Sequence, residues 1–308
     1  MSEAKKENKK AVSPAYSLGA GAIAGAIEAT ITYPTEFVKT QLQLQSKAVG
    51  GKHYTGPIDC AVQIVKEKGI TGLYRGLSAL VIGTAAKAGV RFYAYESFKQ
   101  MLADKDGKLS SQGILLAGLG AGITEAILIV TPTETIKTKL IDDANRQTPK
   151  YRGLVHGIRT IVAEEGIGGI YRGVTSVILR QSANQAVRLS VYGVLKEAVQ
   201  DRYPVDAKTG KNLVPWYTTF GMGAIAGTIT VYTTMPLDVM KTRMQGLDAK
   251  RLYKNSLHCM YRVVVDDGFF ALWKGAVPRL GRLVLSGGII FSVYEVTLNM
   301  LLNAIPPS

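Results

Sequence analysis

The chain is 308 residues long and carries 37 Lys and Arg against 23 Asp and Glu, a formal charge of +14. Hydrophobic residues make up 47% and charged residues only 19%, which excludes a disordered basic segment, because such segments lack apolar surface to bury. Two cysteines exclude a disulfide framework and a Cys-rich zinc site, and 33 glycines in an apolar chain suit close helix packing in a membrane.

The first 14 residues are polar, with Lys5, Lys6, Lys9 and Lys10 offset by Glu3 and Glu7. With no apolar run and cleavage site they are no secretory signal, and the acids argue against a transit peptide; they read as a solvated tail. Six apolar stretches follow: Leu18 to Tyr33, Leu77 to Phe92, Gly113 to Thr133, Val174 to Leu195, Trp216 to Leu237 and Pro278 to Val293. A spanning helix needs about 20 mostly apolar residues. Trp216 to Leu237 carries no charge, which speaks against a soluble nucleic-acid module. Leu77 to Phe92, Val174 to Leu195 and Pro278 to Val293 carry cations. Ionisable groups at membrane depth normally face a bundle interior or a wet cavity, so these helices are expected to have one lipid face and one water face.

The chain repeats itself three times. Pro34-Thr-Glu36-Phe-Val-Lys39 recurs as Pro132-Thr-Glu134-Thr-Ile-Lys137 and as Pro236-Leu-Asp238-Val-Met-Lys241. A second block, Glu67-Lys68-Gly69 through Tyr74-Arg75-Gly76, recurs as Glu164-Glu165-Gly166 through Tyr171-Arg172-Gly173 and as Asp266-Asp267-Gly268 through Trp273-Lys274-Gly275. Each repeat reads span, Pro motif, polar loop with a short amphipathic helix, aromatic-cation-Gly, span. The expected units are a tail over 1–14 and repeats over 15–108, 109–208 and 209–308.

In these blocks the chain resembles the mitochondrial carrier family, whose pattern is Pro-x-acid-x-x-base-x-base, then acid-Gly and aromatic-base-Gly, three times over. The first repeat departs in having Gln41 where Lys139 and Arg243 supply the second base. The resemblance runs from about Pro14 to Leu302. It implies an all-α membrane protein: six tilted transmembrane helices in three homologous repeats around a pseudo-threefold axis, with short amphipathic helices on the matrix side. It also implies the mitochondrial inner membrane, with both termini toward the intermembrane space.

In each odd-numbered span the acid follows Pro by two and the base by five. Acid and base are three apart and share a helix face. Pairing each acid with the base of the next repeat gives Glu36–Lys137, Glu134–Lys241 and Asp238–Lys39, a ring able to close the matrix end of a cavity; ordinary surface ion pairs, each worth about 0–1 kcal/mol, are the alternative. Gly21-x-x-x-Gly25, Gly118-x-x-x-Gly122 and Gly223-x-x-x-Gly227 read as helix-packing glycines rather than a phosphate loop, since no strand precedes them.

The even-numbered spans end in a third motif, which in the family reads aromatic-acid-x-x-base. Here it is Tyr95-Glu96 with Lys99, Tyr192-Gly193 with Lys196, and Tyr294-Glu295 with Leu298. The same pairing rule gives Glu96–Lys196 and Glu295–Lys99, and sets the two losses, Gly193 and Leu298, opposite one another. This is the expected cytoplasmic gate, weaker than the matrix one. Two gates imply alternating access to a site between them.

Stepping back from this motif by thirteen, nine and five residues gives Gly83, Arg180 and Arg282, then Lys87, Asn184 and Ser286, then Arg91, Arg188 and Ile290. These offsets run up one side of each helix, and Arg279 lies one turn below Arg282. With Gln181 beside Arg180, the expected substrate site is Gly83, Lys87, Arg91, Arg180, Gln181, Asn184, Arg188, Arg279 and Arg282. Only Glu28 and Glu125 on the odd spans oppose its cations; they could carry a proton or simply tune the charge. Such a site suits a polyanion, and Arg binds carboxylate and phosphate alike. The resemblance narrows this: Arg180 followed by Gln181 is similar to the carboxylate carriers of the family, and the wider pattern to its tricarboxylate branch. That implies citrate as substrate, exchanged for malate or another di- or tricarboxylate. A dicarboxylate, oxodicarboxylate or succinate–fumarate exchanger is the alternative within the family, and a non-transporting adaptor or receptor the alternative outside transport.

The resemblance also implies cardiolipin at Tyr74-Arg75-Gly76, Tyr171-Arg172-Gly173 and Trp273-Lys274-Gly275, with Tyr54-x-Gly56 and Tyr151-x-Gly153. The third site has Tyr253-Lys254-Asn255, without the glycine. Capping by Gly with no lipid is the alternative. His53, His156 and His258 form no ligand cluster with Cys60 or Cys259, and no nucleophile–base arrangement is visible. No metal, cofactor, nucleic acid or enzymatic activity is expected, and the chain is expected to work as a monomer.

Overall fold

The computed structural model describes residues 14–47, 53–103, 110–146, 148–200, 203 and 215–303. The expected polar tail lies outside these but for Pro14. Among the described residues every regular element is helical. Six long segments carry the fold: α1 (Pro14–Leu44), α3 (Leu77–Leu102), α4 (Ser111–Glu125) continued into α5 (Thr131–Ala144), α7 (Val174–Gln200), α8 (Trp216–Gln245) and α11 (Ala276–Asn303). Between them lie the short helices α2 (Pro57–Lys68), α6 (Leu154–Glu165) and α10 (Ser256–Asp267), one per repeat, and a single extra turn, α9 (Ala249–Leu252).

The first odd span stays helical through Pro34, and the third through Pro236. In the second, five residues, Ala126–Val130, form a π-turn ahead of Pro132. There the backbone N–H and the hydroxyl of Thr131 both donate to the carbonyl of Ala126. Each even span packs on the odd span of the next repeat: α3 on α4 and α5, α7 on α8, α11 on α1. The ring closes because the last repeat meets the first.

Six self-sufficient apolar spans are not what the structure shows. Among the described residues only Leu116–Ala144 is long and apolar enough to cross a membrane by composition. The other long helices bury charged and hydroxyl side chains, among them Glu28, Lys39, Ser176, Asp238 and Lys241. A helix that keeps one stripe for a polar interior cannot be apolar all round.

Three small cores sit at the loop end, one under each short helix. Tyr33 and Phe37 pack with Cys60 and Ile64. Ile136 and Leu140 pack with Tyr151 and Ile161, and Met235 and Met240 with Cys259 and Val263. The glycine after each aromatic-cation pair has a left-handed backbone: Gly76 at φ 89°, Gly173 at 82° and Gly275 at 87°. A β-carbon on Gly76 would lie 2.7 Å from the Tyr33 hydroxyl, and one on Gly275 would lie 3.2 Å from the Lys39 carbonyl. These glycines therefore seat the start of each even span against an odd span beside the charged ring. The packing glycines are more selective than their spacing suggests. Gly25 and Gly227 approach Thr84 and Leu283, whereas in the second repeat it is Gly120, against Phe98, that makes the close approach.

Candidate functional site: a charged ring and the cations beside it

The Pro motifs bring their charges together at the loop end of the odd spans. Lys137 Nζ lies 2.8 Å from Glu36, Lys241 Nζ 2.6 Å from Glu134, and Lys39 Nζ 2.6 Å from Asp238. Each pair joins two repeats, in the direction acid to next base. The three are not alike. Asp238 is fully buried and also receives Arg180, with Arg279 3.9 Å away. Glu36 also receives Arg282 at 2.9 Å. Among the described residues Glu134 forms an ion pair with Lys241 alone.

The asymmetry comes from one position. Arg180 and Arg282 share a register, and in the first repeat that register holds Gly83. Arg180 lies on α7, which packs on α8, and so reaches Asp238. Arg282 lies on α11, which packs on α1, and so reaches Glu36. Gly83 is buried instead against Thr133, where a β-carbon would lie 2.9 Å away. It offers the cavity no side chain, and its place is one of close helix contact.

The remaining residues of the expected substrate site, and the two acids opposite them, lie on the far side of the ring from the short helices. Lys87 and Arg91 are wet, with side chains 43% and 57% exposed, yet both reach the buried Glu125, at 3.3 and 3.6 Å. Glu28 receives the Ser286 and Thr32 hydroxyls and lies 3.6 Å from Arg282. Arg279 donates to Asn184 Oδ1 at 3.0 Å and to Thr234 Oγ1 at 3.1 Å, so it ties α11 to α7 and α8. Gln181 is half-buried, and Arg188 is exposed. Removing one member of such a buried pair strands its partner, at a cost of several kcal/mol.

At the opposite end the expected Glu96–Lys196 pair is not joined. Glu96 pairs with Lys99 one turn along its own helix at 3.6 Å, not with Lys196, which is exposed. The side chain of Glu295 lies outside the described residues. A local i,i+3 pair on one helix costs less to form than a bridge between helices.

Sequence reasoning missed a second tier of the ring. Gln43 donates to Asp238 Oδ2 at 3.1 Å, Thr242 donates to Gln43 Oε1 at 2.7 Å, and Gln245 donates to Thr135 at 3.1 Å. Gln43 and Gln245 each stand four residues after the motif lysine, a spacing that could have flagged them. The structure also explains Gln41. Lys139 pairs with Glu165 and Arg243 with Asp267, each the acid before the loop glycine. In the first repeat both members change, to Gln41 and Lys68, and Gln41 donates instead to the Ile141 carbonyl. Arg243 further grips the Gln43 and Gln45 carbonyls at the end of α1, and Asp267 accepts from the Lys47 N–H at 2.8 Å. Burial opposes ionisation of Asp267, but that N–H and the Arg243 guanidinium outweigh it and hold its pKa down.

The expected lipid positions are partly spent on protein contacts. Arg75 donates to the Tyr151 carbonyl at 3.1 Å and Arg172 to the Tyr253 carbonyl at 3.4 Å. Helices α2 and α6 start at Gly56 and Gly153 with no side-chain cap. Helix α10 is capped by its own Asn255, which accepts from the His258 N–H at 2.8 Å.

Three repeats of paired spans around a ring of inter-repeat ion pairs, with cations above it, define a membrane carrier. The sequence profile of the family described as mitochondrial carrier protein matches residues 10–106, 107–203 and 212–304, and the chain belongs to that family. It is 48% identical to mitochondrial tricarboxylate transporter 1 of Mycosarcoma maydis, over 92% of this chain and 94% of that protein. It is 47% identical to the tricarboxylate transport protein of Saccharomyces cerevisiae, over 96% and 99%. Against the mitochondrial tricarboxylate transport protein of Rattus norvegicus the identity is 44%, over 95% and 91%. The chain is thus a transporter of a mitochondrial membrane and not an enzyme.

Proposed function

We propose that this carrier exchanges citrate for malate or another di- or tricarboxylate across the mitochondrial inner membrane, by alternating access between two gates. The observation that carries the reading is the double use of Arg180 and Arg282. Both stand at the register expected for the substrate site, and both rest on acids of the closed ring, Asp238 and Glu36. A carboxylate arriving from the open end competes for the same guanidinium forks. Each arginine it takes leaves a ring acid with one cation fewer and cuts a tether between neighbouring repeats. Binding energy is thereby spent on opening the ring, as it must be, since a ligand shifts an equilibrium only by its differential affinity for the two states. An empty cavity lacks that drive, so obligatory exchange follows. Lys87, Arg91 and Arg188 supply further cations for a third carboxylate. In this reading the ring is the matrix gate, Glu96, Lys99, Lys196 and Glu295 form the cytoplasmic gate in the other state, both termini face the intermembrane space, and one monomer suffices. The names of the relatives support citrate as the substrate.

The test is uptake of labelled citrate into liposomes holding the purified protein and preloaded with citrate, malate, succinate or nothing. Uptake that requires internal citrate or malate, and is lost in Arg180→Ala, is the expected result. Equal uptake into empty liposomes would sink obligatory exchange. Exchange of succinate or oxoglutarate but not citrate would move the substrate to a dicarboxylate, and no anion flux at all would favour an adaptor.

A further inference from the structure

The second repeat carries one residue more than the others between its glycines and its proline. Gly21 and Gly25 stand thirteen and nine residues before Pro34, and Gly223 and Gly227 the same distances before Pro236. Gly118 and Gly122 stand fourteen and ten before Pro132. The π-turn at Ala126–Val130 lies in that interval, whereas α1 and α8 run through the equivalent stretch as uninterrupted α-helix. A π-turn absorbs one extra residue. Without it, every side chain before the turn would be rotated by about 100° relative to its counterparts.

The consequence falls on Glu125. It is seven residues before its proline and Glu28 is six before its own, so in plain α-helices the two would face different ways. With the π-turn they meet matching partners. Glu28 bonds Ser286 and Glu125 lies 3.3 Å from Lys87, and both partners stand nine residues before the acid position of their span-end motif. Both carboxylates are buried, 6% and 2% exposed, and each holds a second cavity cation, Arg282 at 3.6 Å and Arg91 at 3.6 Å.

We propose that Glu28 and Glu125 are resident counter-anions of the cavity, occupying Arg282, Lys87 and Arg91 in the substrate-free carrier, and that a carboxylate substrate binds by displacing them. The π-turn is the device that brings the second of these acids onto the cavity wall. Glu28 and Glu125 act through the cations and are positioning and specificity-setting groups. They subtract charge from the empty site, so that weakly charged anions do not hold it. This rests on the reading that the cavity carries carboxylates.

The measurement is anion binding, read from the shift of thermal unfolding of the purified carrier titrated with citrate or malate at constant ionic strength. Glu125→Gln leaves Lys87 and Arg91 without their acid. The apparent Kd for citrate is expected to fall about three- to tenfold, and by less than that for malate, because the Coulomb term scales with ligand charge. Glu125→Asp, which keeps the charge, is expected to stay close to wild type. Glu28→Gln should shift affinity in the same direction and serves where E125Q does not fold. Deleting Leu128, to return the turn to α-helix, is expected to reproduce E125Q. Citrate binding that is unchanged or weaker in a folded E125Q, or an E125D that behaves like E125Q, would overturn the proposal. Flux distinguishes it from the transport reading. A wild type that binds citrate but exchanges no carboxylate fails that reading alone, and one that exchanges citrate while E125Q binds no tighter fails this inference alone.

Discussion

Asp238→Asn and Glu134→Gln remove the same kind of group from the same ring, yet the structure sets them apart. Asp238 is 0% exposed and compensates Lys39 at 2.6 Å and Arg180, with a further hydrogen bond from Gln43. Glu134 is 20% exposed and compensates Lys241 at 2.6 Å. Breaking a fully buried pair costs about 3–5 kcal/mol, because the stranded partner stays charged in a poor solvent. Losing a partly wet charged bond costs about 1.5–3 kcal/mol. Asp238→Asn should therefore be the less stable variant by about 2 kcal/mol, or roughly 4–8 °C in unfolding temperature for a chain of this size. The assay is thermal unfolding in detergent followed by a thiol-reactive dye. The two cysteines report on it because burial, above all, pushes both thiols up to about 12. Equal midpoints for the two variants, or a lower one for Glu134→Gln, would refute the argument that Asp238 is the more heavily loaded corner.

The same thiols give a second prediction: at neutral pH Cys60 and Cys259 stay unmodified by maleimide in the folded carrier and react together on unfolding, as mass spectrometry would show. Asp267→Asn strands Arg243 between α10 and the end of α1 and should destabilise by about 3 kcal/mol. Because the folded pKa of Asp267 is depressed, its contribution is present above the ordinary carboxylate range and is lost only as pH falls below it. The wild-type unfolding midpoint should then fall on acidification, with a smaller fall in the variant. Asn255→Gly removes the side-chain cap of α10 and frees an N-terminal N–H of the kind that binds phosphate. It should add one retained cardiolipin by native mass spectrometry to those expected at Gly56 and Gly153, and an unchanged count would assign these glycines to capping alone.

Much of the carrier was legible in one dimension. The triplicated Pro-x-acid-x-x-base block implies three acids and three bases on like faces of like helices, and symmetry leaves two directions of pairing, of which the packed ring shows acid to next base. The spans were legible as segments but not as spans by hydropathy alone, since five of the six keep a polar stripe. The apparent defect at Gln41 could not be judged alone. Its partner position, Lys68, is far along the chain, and only the fold shows that both halves of the pair changed together.

The sequence by itself determined the repeat, the helices and the chemical types present, because these depend on local spacing and composition. The tertiary structure decided which cation each acid holds. Arg180 and Arg282 rest on ring acids because each even span packs on the next odd span, and Gly83 faces Thr133 for the same reason. Glu125 faces Lys87 and Arg91 because one π-turn rotates everything before it. Ion pairing is set by a few ångströms and by helix phase, and both are properties of the packed ring rather than of any single segment.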